Sequence, residues 1–159
     1  MKLYHGSNVE INTPMLIPSK RLLDFGAGFY LTSDFEQAAK WAIRTTKIRG
    51  EKKPLVSAFE VEEEKLKNLD ILCFEAPNKE WLRYVAANRT GKHVEKKYDV
   101  VIGPVANDQA IRTVNNFLTG YFSEDIAIQL LLPQKLKDQY AFKTENALSV
   151  LAFVEVMKV

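Results

Sequence analysis

Helical patterns crowd the middle of this 159-residue chain, strand patterns sit at both ends, and the two do not alternate regularly. A parallel doubly wound sheet needs steady strand–helix alternation, so that architecture is disfavoured and a mixed or antiparallel α+β domain is expected. Residues 2–5 form a short strand that opens into the turn-prone triplet Gly6-Ser7-Asn8. Residues 8–23 contain Pro14 and Pro18 without a steady period and read as a loop with at most a turn of helix. Phe29-Tyr30-Leu31-Thr32 reads as a second strand. Ser33 or Asp34 then caps a helix whose apolar face is Phe35, Ala38, Ala39, Ala42 and Ile43, and Gly50 stops it.

Strands are expected at 55–61, 69–74, 98–102 (closed by Gly103-Pro104), 139–143 and 148–156. A helix capped by Asn78 runs to about Asn88 with Trp81, Leu82, Val85 and Ala86 inward. Another starts at Asp108, carries Ile111, Val114, Phe117 and Leu118, and stops at Gly120. A third, capped by Ser123, runs to about Leu132 before Pro133. No repeat, low-complexity segment or linker divides the chain, so residues 1–159 read as one domain, large enough to bury roughly two-thirds of its unfolded surface.

Charge narrows the partners. With 22 basic and 20 acidic side chains the net charge is +2, too small to argue for a nucleic acid or a membrane surface. No apolar stretch approaches the ~20 residues of a bilayer span, and no signal peptide is visible at the start. The lone cysteine, Cys73, permits no intrachain disulfide and no cysteine-cluster metal site; a cytoplasmic setting is expected. Its place in Ile71-Leu72-Cys73-Phe74 suggests core packing.

Three features carry chemistry. Tyr4-His5-Gly6-Ser7 ends the first strand and sets a ring with two hydrogen-bonding nitrogens beside bare backbone, although an ordinary strand-end histidine would look the same. Gly26-Ala27-Gly28 precedes the strand of Phe29 and Tyr30, whereas a dinucleotide fingerprint follows one, so a Rossmann reading is poor. Trp41 stands eleven residues after Tyr30, near the end of the next helix, where core packing is the ordinary explanation.

Together these features resemble the ADP-ribosyltransferase superfamily in its diphtheria-toxin and poly(ADP-ribose) polymerase branch. That branch has a strand ending in His-Gly-Ser or His-Gly-Thr, a Gly-x-Gly-hydrophobic-Tyr strand, and a second aromatic about eleven residues on. The chain looks closer still to the small bacterial proteins of the DUF3990 family, which read LYHGS, DFGxGFYLT and VIGPxAxD in order. Here those motifs are Leu3 to Ser7, Asp24 to Thr32 and Val101 to Asp108.

The resemblance implies two mostly antiparallel sheets forming an NAD-binding cleft with flanking helices. It implies that His5 bonds the nicotinamide-side ribose, Gly6 backbone groups and Ser7 hold the carboxamide, Gly28 lies beside the ligand, and Tyr30 and Trp41 enclose the nicotinamide ring. Stacking of this kind is worth ~1–3 kcal/mol per aromatic, with further attraction between a cationic ring and π faces. The branch's late-strand glutamate falls on Gln139, which hydrogen-bonds but carries no charge, and whose ordinary explanation is an exposed polar residue at a strand start.

The implied activity is mono-ADP-ribosyl transfer of an His5–Tyr30–Gln139 type. Nicotinamide would be released and ADP-ribose placed on a protein or nucleic-acid acceptor, by a bacterial toxin or effector with an antitoxin among its conceivable partners. NAD is the substrate and no metal is implied. The alternatives are an NAD hydrolase, an inactive module that binds NAD or ADP-ribose, and a partner-binding domain without nucleotide. Asp108 is a candidate additional acid, with helix capping as its ordinary explanation; Asp24 and Asp34 are weaker candidates. Asn88-Arg89 is read as a solvated helix end that can alternatively meet a phosphate or an acidic acceptor, and His93 as a surface residue in a charged run.

Overall fold

The computed structural model describes residues 1–18, 22–50, 52–92 and 96–159, and it is an α+β structure with two sheets. The first sheet has the order β1 (Lys2–Ser7), β3 (Leu55–Val61), β7 (Leu151–Lys158), all antiparallel. The second has the order β2 (Phe29–Leu31), β6 (Asp138–Phe142), β5 (Val100–Pro104), β4 (Ile71–Cys73). Only β4 and β5 are parallel, and α3 (Lys79–Arg89) makes the crossover that parallel neighbours need.

Helix α1 (Phe35–Arg49) shows why the local sequence becomes a helix. Asp34 accepts a hydrogen bond from the Gln37 N–H at 2.8 Å, Glu36 lies in the first turn, and Lys47 and Arg49 lie in the last, all favourable to the helix dipole. Gly50 adopts the left-handed conformation (φ 71°) and returns its N–H to the Thr46 carbonyl. Ala38, Ala39 and Ala42 face β1 and β3, where their small side chains allow a close approach. Ile43, expected on this face, is 40% exposed, because it lies about 40° past Ala39 at the edge of the alanine stripe. Asp138 fixes the start of the helix by accepting from the Thr32 and Ser33 hydroxyls and the Ser33 N–H.

Three apolar clusters hold the layers. Leu3, Phe29, Leu31, Phe59, Val100 and Phe142 fill the space between the sheets. Phe25, Trp81, Leu82, Val85, Val101 and Leu131 pack the second sheet against its helices α3, α4 (Asp108–Leu118) and α5 (Glu124–Leu131). Fully buried side chains of this size contribute about 1.5–3 kcal/mol each. Trp81 also satisfies its indole N–H on the Pro104 carbonyl at 2.9 Å. Asn78 and Ser123 cap α3 and α5 as expected, whereas the cap of α4 is Asn107, with Asp108 its first helical residue.

Several boundaries differ from the sequence reading. The expected strand at 69–74 shrinks to β4, and Cys73 on it is exposed, not packed in the core; β4 is an edge strand with one paired side. The strand expected at 98–102 is β5, shifted two residues onward. The last strand starts at Leu151, after a four-residue helix α6 (Glu145–Leu148) capped by Thr144. A second four-residue helix, α2 (Glu63–Leu66), was also unforeseen. Ala86 is only half-buried, and β7 leaves Phe153 and Val154 exposed.

Candidate functional site

Among the described residues a single backbone bridge joins the two sheets, where Tyr4 and Thr32 exchange hydrogen bonds of 2.9 and 3.0 Å. Backbone groups of successive strand residues point to opposite edges, so Tyr4 facing Thr32 leaves Leu3, His5 and Ser7 to bond β3. The Gly6 N–H and C=O then point toward the same edge as those of Tyr4. Continuing the Tyr4–Thr32 register would set Gly6 opposite Tyr30, but no second bridge forms and the strands part there. The described backbone hydrogen bonds give Gly6 no strand partner on that edge.

His5 spans this gap. Its Nδ1 lies 2.7 Å from the Tyr30 carbonyl and its ring stacks on Phe29 with centroids 4.3 Å apart. Bonding to a carbonyl requires the proton on Nδ1, which makes Nε2 an acceptor. Burial pulls the imidazole pKa below its usual value, the Tyr30 carbonyl opposes this, and Arg49 adds to the lowering. The ring is thus neutral at neutral pH.

Beside the gap lies a cleft of about 460 Å³. Six residues singled out from the sequence line it: Asp24, Tyr30, Trp41, Arg89, Gln139 and, at the rim, Asp108. One wall is the face of α1 formed by Trp41, Arg44, Thr45, Ile48 and Arg49, which follow the i, i+3, i+4, i+7, i+8 spacing of a helix stripe. Asp108 is 92% exposed and stands 3.9 Å from Arg44. His5, Gly6, Ser7 and Gly28 do not line the cleft itself. His5 and Gly6 belong to the adjoining strand junction.

The Ser7 hydroxyl accepts from the Val9 N–H at 3.4 Å and so stabilises the turn after β1. A Cβ on Gly28 would come within 3.1 Å of the Phe142 carbonyl, so close approach to β6 accounts for that glycine. Gly6 has a similar explanation. A Cβ there would lie 2.0 Å from the Ala38 carbonyl oxygen, so the α1 backbone excludes any side chain.

Tyr30 is fixed by its hydroxyl, which donates to the Gly26 carbonyl at 2.6 Å and accepts from the Phe25 N–H at 3.1 Å. Burial drives the phenol pKa far upward, so Tyr30 offers a ring face and an anchor, with no proton to exchange. The same loop is clamped by Lys143, whose ammonium donates to the Phe25 carbonyl and, at 3.0 Å, to the Ala27 carbonyl. Desolvation lowers the Lys143 pKa to about 8. Gly26 takes a positive φ of 78° in this turn.

The least expected part of the cleft is a polar cluster around Asp24, which is 7% exposed. Its Oδ1 accepts from Arg89 Nε at 2.7 Å and pairs with Arg89 Nη2 at 2.5 Å. Its Oδ2 accepts from Gln139 Nε2 at 3.1 Å and from the Ala106 N–H at 3.3 Å. Gln139, 4% exposed, gives its other amide hydrogen to the Pro104 carbonyl at 3.3 Å. Arg89 is therefore the partner of a buried acid, and the solvated helix end expected there is corrected. Asp34 is accounted for as the α1 cap and the partner of Lys137 at 2.6 Å. The position of Asp24 just before the glycine turn hinted at its closeness to Tyr30. The pairing with Arg89, 65 residues away, left no local signal.

Among the described residues no group of three or more His, Cys, Asp or Glu side chains could hold a metal ion, and no helix is long and apolar enough to cross a membrane. His93 lies outside the described residues.

The fold class is thus a two-sheet α+β structure with a cleft at the sheet junction. The chain belongs to the DUF3990 family: the family model, described as a protein of unknown function, matches residues 1–153. No curated protein and no solved structure matches it.

Proposed function

We propose that the junction and cleft form the NAD⁺ site of an ADP-ribosyltransferase-like fold, and that the chain transfers ADP-ribose from NAD⁺ to a macromolecular acceptor. The observation that carries this reading is a cleft lined by the rings of Tyr30 and Trp41 and the carboxamide of Gln139, with the backbone edge of Gly6 in the strand junction beside it. A carboxamide has one donor and one acceptor and matches the paired groups of a strand edge. Two aromatic faces suit a pyridinium ring. The neutral Nε2 of His5 can accept a ribose hydroxyl. Arg44 and Arg49 offer fixed positive charge to a diphosphate.

In the reaction the bond between nicotinamide nitrogen and ribose C1′ breaks with its electron pair going to the ring, which leaves neutral. The acceptor nucleophile bonds C1′ and loses its proton to solvent. The protein's share is to hold the ring, orient the ribose and stabilise positive charge developing at C1′.

A binding module without turnover is the second reading, favoured by one observation: the only acid deep in the cleft, among the described residues, is already paired with Arg89. The test is NAD⁺ binding by calorimetry together with nicotinamide release by chromatography. Binding with release supports transfer or hydrolysis, and labelled ADP-ribose on an added protein or nucleic acid distinguishes these two. Binding without release under any acceptor supports the module. Absence of binding sinks both readings.

A further inference from the structure

Gln139 stands where the resemblance implied a carboxylate, and its amide nitrogen is set between two acceptors. Both hydrogens of its amide nitrogen are committed, one to Asp24 Oδ2 and one to the Pro104 carbonyl. Both partners are acceptors, so the reversed amide would set oxygen against oxygen and is excluded. Oε1 is left as the only free polar atom of the side chain. Among the described residues nothing donates to it, and it is not one of the enclosed atoms lacking a partner, so it keeps access to the cleft.

We propose that Asp24 is the source of negative charge in this cleft and acts through Gln139, fixing the amide so that Oε1 faces the ligand as a strengthened, acceptor-only group for a sugar hydroxyl. This rests on the nucleotide reading given above. The physical basis is polarisation: an amide whose N–H groups bond a carboxylate and a carbonyl carries more electron density on its oxygen. Arg89 holds Asp24 from the far side with two nitrogens on Oδ1, which leaves Oδ2 for the amide. Asp24 is a positioning residue; Gln139 Oε1 makes the contact. A glutamate at 139 would bring a second carboxylate to within about 3.1 Å of Asp24 Oδ2, where two negative charges strongly disfavour one another. The ionisable groups around the pair are Arg89 from α3, Tyr30 from β2, Arg44 and Arg49 across the cleft from α1, and Asp108 at the rim from α4.

The experiment is a charge exchange across the pair, comparing wild type, Asp24→Asn, Gln139→Glu and the double variant. NAD⁺ affinity is measured by calorimetry from pH 5 to 9, and carboxyl titration by ¹³C NMR without ligand. Asp24→Asn is expected to weaken NAD⁺ binding about tenfold at all these pH values, the scale of one charge-assisted hydrogen bond. Gln139→Glu is expected to weaken it about as much at pH 8 and to recover toward pH 5, as one proton enters the carboxylate pair. The double variant, which again has one charge and one amide, is expected to return to within about threefold of wild type. A merely structural role for Asp24 would leave the double variant no better than the single ones.

Folded Asp24→Asn protein with wild-type affinity, or a folded double variant without recovery, overturns the proposal. The NMR arm needs no ligand. Ordinary carboxyl titration at both positions in Gln139→Glu refutes the pairing itself, whereas a raised titration with no NAD⁺ binding by wild type refutes the nucleotide reading and the ligand-facing role with it.

Discussion

Replacing Gly6 by alanine separates two explanations of the same glycine. If the residue serves only to expose backbone to a ligand, a methyl group should impair binding and leave stability alone. The structure sets a different expectation, because the added Cβ would stand 2.0 Å from the Ala38 carbonyl oxygen and 2.8 Å from the Ala42 nitrogen. Ordinary contact begins at 3.4 Å, so α1 must retreat by about 1.4 Å along that direction. The obstructing atoms are helix backbone and cannot rotate aside. Overpacking of this kind costs about 1–3 kcal/mol, and the rigidity of the obstacle places Gly6→Ala at the upper end. For a chain of this length that is roughly 6–12 °C in Tm.

The retreat also carries Trp41, Arg44 and Arg49 away from Tyr30, so NAD⁺ affinity should fall with stability. Gly50→Ala is the control on the same helix. It meets nothing within 4 Å and suffers only from its φ of 71°, about 1 kcal/mol. Thermal denaturation of the three proteins, with calorimetry in NAD⁺, decides the matter. A Gly6→Ala protein no less stable than Gly50→Ala refutes the packing explanation.

Tyr30→Phe keeps the ring but removes both hydroxyl bonds to the loop; stability should drop by about 1–2 kcal/mol in urea titrations, with loss of NAD⁺ affinity smaller than for Tyr30→Ala. Arg89→Ala strips a buried carboxylate of its cation and should cost about 3 kcal/mol, measured the same way. His5 titrates lower when folded than when unfolded, so it adds nothing to the pH dependence of stability above pH 6.5. As pH falls through 6.5 the unfolded chain takes up a proton that the folded one refuses, so stability declines; the urea midpoint should fall between pH 7.5 and 5.5 by more in wild type than in His5→Gln.

Local chemistry was the legible part of the sequence. Asp34, Asn78 and Ser123 cap their helices because a short polar side chain before an apolar stripe has one geometrically favoured job. The wall of α1 went unread, although Arg44 and Arg49 follow Trp41 at helical intervals. Four-residue helices such as α2 and α6 are too short to show a period. Cys73 misled because an apolar run does not say whether its strand is central or at an edge.

Contacts between distant residues left no trace. The obstacle to a side chain at Gly6 is helix backbone beyond the next strand, and the partner of Gln139 lies 115 residues away. Gln139 itself was read as an uncharged residue at the glutamate position or an exposed polar side chain at a strand start, and its burial against Asp24 was not foreseen.

The Tyr4–Thr32 bridge makes the site observable without any ligand assay. It is the only described backbone pairing between the two sheets, so the amide protons of Tyr4 and Thr32 exchange with solvent only when that seam separates. Their exchange rates measure how often the sheets part, and a molecule that wedges into the gap or staples it shut will move both rates in the same direction.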